Sequence, residues 1–259
     1  MRHVDWVPSS AANNLHITRR GDDVIVEWSG VGTLVHGPNS ESVFVPHPDA
    51  DPSYLEKFRS TGLVACLRYL QGKTCLHGSA VALPSVGGAI VLIGESGAGK
   101  STTAMSLVEN HGGVYLSDGV VPIDWHGPDP VVTPVNQSFW LLPDALEWFG
   151  VGSTPPQHTH KRPRSPKART DVPERVKAIV VLEFDDSLET PTLERLTGDR
   201  TFSALSRAHI CYAVNERADA LQNLTVRSQL ASSVKFLHVC RRRALDALSS
   251  TARLLLSNC

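Results

Sequence analysis

The stretch from Ala89 to Asn110, AIVLIGESGAGKSTTAMSLVEN, limits what this chain can fold into more than any other. A short apolar run, Ala89 to Ile93, has the character of a buried strand. Gly94, Gly97 and Gly99 follow within six residues, then Lys100 and Ser101. Beyond them Ala104, Met105, Leu107 and Val108 recur at helical spacing. Strand, glycine loop and helix in this order are the setting of the G-x-x-x-x-G-K-[ST] phosphate loop. Glycines let the backbone turn its N–H groups toward phosphate oxygens, and the helix adds its free N–H groups and positive dipole end. Gly94, Glu95, Ser96, Gly97, Ala98, Gly99, Lys100, Ser101 and Thr102 are therefore the expected nucleotide cradle. Lys100 is placed on the β- and γ-phosphates and the Ser101 hydroxyl on Mg²⁺. The competing reading, a glycine turn that binds nothing, does not account for the strand before it and the helix after it.

The rest of the composition excludes more than it assigns. A net charge of -1 offers no global attraction to nucleic acid or an anionic membrane. Cys66, Cys75, Cys211, Cys240 and Cys259 are odd in number and contain no C-x-x-C pair, which argues against a disulfide framework and against a zinc site. The first residues lack an apolar signal core, and no run has the length of a membrane span. A reducing cytoplasm is the expected compartment.

Taken in order, Leu15 to Val45 reads as strands: Val24, Val26 and Trp28 alternate with polar or outward positions, and glycines punctuate. His47 to Pro52 reads as a loop, with Ser53 as the N-cap of a helical stripe carrying Leu55, Phe58, Leu63, Cys66, Leu67 and Leu70. Gly62 divides that stripe into two short helices and Gly72 ends it. Residues 1–72 thus form a β-rich N-terminal part with a packing helix and no visible chemistry, and 73–259 form the nucleotide-binding part. Leu76 to Leu83 reads as one strand joined to the loop strand by a turn at Pro84 to Gly88, too short for a crossover helix. The two should be antiparallel neighbours, which brings His77 toward the loop.

Asp118 lies among Val114, Leu116, Val120, Val121 and Ile123, a costly place for a carboxylate unless it is paired or near a cation. It is a candidate general base or Mg²⁺ partner; the alternative is a strand-end residue capping a turn with Gly119. Asp124 reads as a solvated turn residue. Between Glu147 and Asp171 there is no carboxylate, while His158, His160, Lys161, Arg162, Arg164, Lys167 and Arg169 alternate with prolines. The expectation is a long mobile cationic loop, with Lys161, Arg162, Lys167 and Arg169 as candidate phosphate contacts. Val176 to Phe184 reads as a buried strand, Val234 to Val239 as another, and Thr201–Ala208, Asn215–Ala231 and Arg241–Leu256 as helices. Arginines 241, 242 and 243 at a helix start oppose its dipole and require an offset.

LHGSAVAL, GESGAGKS and LSDGVVPID at this spacing resemble the catalytic domain of HPr kinase/phosphorylase, and especially its short stand-alone relatives. The likeness spans about residues 55–259 in outline, with three specific blocks. It implies an α/β phosphate-loop domain with a mixed, partly antiparallel sheet, like the nucleotide domain of phosphoenolpyruvate carboxykinase. It also implies a Mg²⁺- and ATP-dependent kinase acting on a serine or similar hydroxyl of a peptide or small protein. By motif, His77 matches the active-site histidine, Lys100 the phosphate-contacting lysine, Ser101 the Mg²⁺ ligand and Asp118 the base, also near the metal. The family's second aspartate is Gly119 here, which opens the reading of a nucleotide-binding module without transfer; a small-acid phosphotransferase is a third reading. The short relatives resemble peptide-tailoring kinases, including those of lasso peptide biosynthesis. The ring assembly of HPr kinase implies a homo-oligomer; the net charge of -1 is what points to no membrane or nucleic-acid partner.

Overall fold

The computed structural model describes residues 15–37, 41–150, 161–212 and 216–259. Strands β1 (Leu15–Arg20), β2 (Asp23–Trp28), β3 (Gly32–His36) and β4 (Val43–Pro46) form an antiparallel meander, as the alternation requires. Val24, Val26 and Trp28 are its buried side. They pack on helices α1 (Pro52–Ser60) and α2 (Gly62–Leu70) through Phe58, whose ring meets Trp28 edge-on at 4.9 Å, a contact worth about 1 kcal/mol beyond its burial. The N-cap of α1 is Asp51, not Ser53: its carboxylate accepts the Tyr54 N–H at 2.7 Å and the Ser53 hydroxyl at 2.6 Å, with Pro52 pre-set at the first helical position. Two short helices divided at Gly62 are as expected, and Gly72 at φ 72° closes the second.

The remaining chain builds a curled mixed sheet. Its strands are β5 (Thr74–Leu76), β6 (Ser79–Leu83), β7 (Gly88–Ile93), then after α3 (Lys100–Asn110) β8 (Val114–Asp118), β9 (Val121–His126) and β10 (Asp129–Val132). A small hairpin of β11 (Phe139–Leu141) and β12 (Arg162–Arg164) flanks α4 (Pro143–Trp148). The long β13 (Glu174–Phe184), β14 (Thr192–Arg195), α5 (Asp199–Ala208), α6 (Glu216–Ser233), β15 (Lys235–Arg241) and α7 (Ala247–Asn258) complete it. Strand order is β5-β9-β10-β13-β7-β6-β8, with β15 on β13 and β14 on β15. β7, β13 and β15 are mutually parallel; the other pairings are antiparallel.

One single-strand expectation is corrected here, and a second apolar run divides in the same way. Leu76–Leu83 is broken at His77–Gly78, and the run through Asp118 is broken at Gly119. Each half of one run pairs with one half of the other, β6 with β8 and β5 with β9, so the two runs bend together and the sheet curls. Gly78 is needed at the bend, since a Cβ there would lie 2.5 Å from the Leu92 carbonyl oxygen. The β6–β7 turn is tight and antiparallel as expected, with the Val86 N–H on the Leu83 carbonyl.

Apolar cores fill both faces. Leu92, Met105, Leu107, Val180, Leu182, Val239 and Leu255 lie on the α3/α7 side; Val91, Ile93, Ile179, Leu205, Leu230 and Phe236 lie toward α5 and α6. The expected final helix from Arg241 is also corrected. Arg241 ends β15 and the helix begins at Ala247, so the arginine run never meets the dipole. Arg242 instead pairs with Asp246 at 2.7 Å, and the Arg243 N–H bonds Asp186. No helix among the described residues is long and apolar enough to cross a membrane.

Candidate functional site

The glycine loop leaves β7 at the point where its backbone must turn without side chains. Gly94 (φ 141°), Gly97 (φ 86°) and Gly99 (φ 81°) all take conformations that L-residues resist. A Cβ on Gly94 would sit 2.4 Å from the Leu182 carbonyl oxygen, whereas the space at Gly97 is open. Gly99 is the N-cap of α3, so the helix's first N–H groups open onto the loop. Ala98 is buried beneath it, Ser101 and Thr102 are half-buried on the first turn, and Glu95 and Ser96 are exposed. Glu95 turns its carboxylate outward toward Arg207, 3.8 Å away, and serves the loop through its backbone.

Lys100 is 7% exposed and its amino group is folded onto the loop, donating to the Gly94 and Glu95 carbonyls at 2.9 Å each. Burial, then the Lys161 charge, lowers it to about 8 against the opposing pull of Asp118 and Glu95. On its far side the loop rests on Arg241: a Cβ on Gly99 would meet that guanidinium at 2.5 Å. Arg241 is 2% exposed and stacks on Phe184, whose ring also carries Arg243, each 4.7 Å from the centroid. Among the described residues Arg241 has no carboxylate within ion-pair distance, and burial lowers it to about 10. Its positive charge is thus stored under the loop.

Asp118 ends β8 facing this loop region and is 1% exposed. One carboxylate oxygen accepts the Ser79 hydroxyl at 2.6 Å and the other the Trp140 N–H at 2.9 Å. Its main chain is clamped by Asn136, whose side-chain oxygen takes the Asp118 N–H at 3.1 Å and whose amide donates to the Asp118 carbonyl at 2.6 Å. The buried carboxylate is therefore partnered, as its apolar setting demands, and each oxygen keeps a second acceptor position. Gly119 follows at φ 80°, with Thr61 of the α1–α2 junction 3.0 Å from where a Cβ would be. An aspartate at 119 would be strained and would press on Thr61, which is the local reason for glycine.

His77 crosses the bend, its Nδ1 2.9 Å from the Gly119 carbonyl. That oxygen only accepts, so Nδ1 carries the proton and Nε2 the lone pair. Burial and then the charges of Lys100, Lys161 and Lys57 hold the ring at about 3, against the Gly119 bond. His77 is neutral at pH 7 and supplies no positive charge.

The sequence assigned no chemistry to residues 1–72, and here the structure adds a residue. Lys57 of α1 stands over the Trp140 ring, 5.8 Å from its centroid, and shares electrostatic contact with Lys161 and Asp118. Burial and Lys161 lower it, Asp118 raises it. α1 is held there by Asn136, whose amide also reaches the Ser60 carbonyl at 3.4 Å. No sequence signal marks Lys57 or Asn136, because each is brought in from a separate element.

Of the four candidate cations, Lys161 joins this cluster. Arg162 lies in β12 against Leu141, while Lys167 and Arg169 are exposed. The expected mobile loop is corrected in its second half: residues 168–170 pair along β8 through Tyr115, whose N–H and carbonyl both bond that segment. His158 and His160 lie outside the described residues. Asp124 is no solvated turn residue. It sits in β9, where Thr133 and Arg68 (2.7 Å) outweigh burial and hold its carboxyl below the usual range, tying α2 to the sheet.

Against known proteins, neither a protein-family model nor a curated protein matches this chain. Among solved structures, it is similar to the Hpr(Ser) kinase/phosphatase from Coxiella burnetii, with 12% identity and a TM-score of 0.37, covering 71% of this chain and 92% of that one. A TM-score of that size is too low to equate the two folds.

Proposed function

We propose that this chain is an ATP-dependent kinase that transfers the γ-phosphoryl group to a serine or similar hydroxyl of a peptide or small protein. One observation carries the proposal: a glycine loop with left-handed Gly97 and Gly99 at a helix N-terminus shares one electrostatic cluster with Asp118, Lys57, Lys100 and Lys161. Such a loop suits a triphosphate, and three lysines with one carboxylate suit its transfer. The serine acceptor rests on the resemblance of the three motifs, and a ribosomal peptide precursor is the substrate class that resemblance favours.

In this reading the loop N–H groups and the first turn of α3 bind the phosphates. Lys100 leaves the Gly94 and Glu95 carbonyls for the β- and γ-oxygens. Asp118 takes the proton of the acceptor hydroxyl on an oxygen held in place by Ser79 or Trp140, while Lys57 and Lys161 offset charge on the moving phosphoryl group. The donors available to a metal, the Ser101 hydroxyl and the Asp118 carboxylate, are hard oxygens and fit Mg²⁺. Bound there, Mg²⁺ would supply charge neutralisation between the phosphates. His77 orients the bend through Gly119.

Two measurements follow. Because Lys100 titrates near 8 in the free protein, kcat/KM for nucleotide is expected to fall above about pH 8, approaching tenfold per unit as the cation is lost. A flat profile to pH 10 would place Lys100 away from the phosphates. Lys57→Met, which keeps the stem over Trp140, is expected to lower kcat/KM about tenfold or more, ~1.4 kcal/mol of lost charge stabilisation, with little change in melting temperature. Unchanged kcat/KM would confine Lys57 to packing.

A nucleotide-binding module without transfer is favoured by one observation, the near-complete burial of Asp118. ATP binding without turnover on any serine peptide would select it.

A further inference from the structure

We propose that Glu183, His238 and Cys240 form a binding site for one borderline-soft divalent cation, zinc above all, on the sheet face opposite α3 and α7. The register builds it. On the β13–β15 ladder Glu183 stands opposite Cys240, and on the β14–β15 ladder Glu194 stands opposite His238. Because strand side chains alternate, these four share one face, while Leu182, Leu237 and Val239 between them point into the core.

The ligand atoms of Glu183, His238 and Cys240 lie within 4.8 Å of one another. His238 Nε2 is 2.8 Å from a Glu183 oxygen and 3.5 Å from the Cys240 sulfur, and Nδ1 is 3.0 Å from a Glu194 oxygen. Both ring nitrogens thus face carboxylates, yet a neutral imidazole has a single N–H. Glu194 is paired with Arg200, which keeps it a carboxylate and makes it the acceptor of Nδ1–H. Three electron-pair donors then converge with no proton between nitrogen and oxygen: Nε2, the Glu183 oxygen and the Cys240 sulfur. A metal cation resolves the contact, as a second ring proton also would. Carboxylate, imidazole N–H and metal in a row is the usual support for a metal-bound histidine.

The spacing suits zinc. Tetrahedral bonds of about 2.3 Å to sulfur and 2.0–2.1 Å to nitrogen put those two ligands about 3.5 Å apart, and nitrogen and oxygen about 3.4 Å apart. The first separation is already present; Glu183, with 64% side-chain exposure, has to open from 2.8 Å by about 0.6 Å on the nitrogen side. A thiolate and an imidazole favour zinc over Mg²⁺, so the site is chemically distinct from the phosphate loop. On binding, the Cys240 S–H proton leaves to solvent as the metal–sulfur bond forms. The absence of a C-x-x-C pair argued against a zinc site; here His238-x-Cys240 is completed instead by a glutamate 55 residues away from that histidine. The next residues along the two strands, Phe184 and Arg241, are those packed against Gly99, so the cation would tie the strands that support the loop.

Metal-freed full-length protein titrated with Co²⁺, then displaced with Zn²⁺, tests this. The expected result is a single equivalent bound with a tetrahedral cobalt spectrum and a thiolate-to-cobalt charge-transfer band. Cys240→Ser should remove the band, and His238→Gln and Glu183→Gln should each weaken binding tenfold or more, while Ser101→Ala leaves it unchanged. A band that persists in Cys240→Ser would assign the metal to another cysteine and overturn the site. Failure of the wild-type protein to bind either ion would leave a doubly protonated histidine held by two carboxylates, and would equally overturn it.

Discussion

Lys100→Ala is expected to weaken nucleotide binding roughly 30- to 5,000-fold, the equivalent of the ~2–5 kcal/mol lost when one partner of a desolvated charge pair is truncated. The size follows from where the amine sits. It is nearly buried and held by two carbonyls of the loop that would receive phosphate. The same change should move the melting temperature by no more than about 4 °C, because Gly94 and Glu95 lie where water can replace the lost donor and a buried cation is removed. Calorimetric titration with ATP and Mg²⁺ beside a thermal melt separates the two effects. Wild-type affinity in the variant would remove the glycine loop from the binding site.

The second large effect is Asp118→Asn, for which phosphoryl transfer should fall about 10²- to 10⁴-fold with nucleotide affinity kept within a few fold. The geometry makes this a clean variant. An asparagine oxygen can keep the Trp140 N–H, and its amide can donate to the Ser79 hydroxyl, which rotates to accept. Shape and hydrogen bonds persist while the basic oxygen disappears. Asp118→Ala, by contrast, strands two buried donors and should cost about 1–3 kcal/mol for each. The readout is transfer of label from γ-labelled ATP to serine peptides, beside a melt. Full transfer by Asp118→Asn would exclude the carboxylate as base; loss of nucleotide binding together with transfer would assign it to the metal instead.

How much of this was legible depended on whether neighbours in space were neighbours in sequence. The loop from Gly94 to Thr102 was, since one strand, one turn and one helix build it from contiguous residues. The antiparallel β6–β7 pair was as well, because a turn that short admits one arrangement. The two bends were not. His77–Gly78 and Gly119 look like interruptions of single strands until the partner strand is seen to bend with them. The start of the last helix was misjudged by six residues because the arginines carry no local signal for strand; their placement comes from pairing of β15 with β13 and from Phe184, which offers its ring to two of them.

By itself, then, the sequence determined the glycine loop, the strand and helix that hold it, and the need for Asp118 to find partners, because each follows from local backbone sterics or from the cost of a lone buried charge. Only the tertiary structure decided which partners those are, Ser79, Trp140 and Asn136, and that Lys161 stands near both Lys100 and Lys57 of the N-terminal helices. It also decided the meeting of Glu183 with His238 and Cys240. Cross-strand register and helix docking are long-range choices, set by which apolar faces bury together, and no window of sequence contains both sides of the contact.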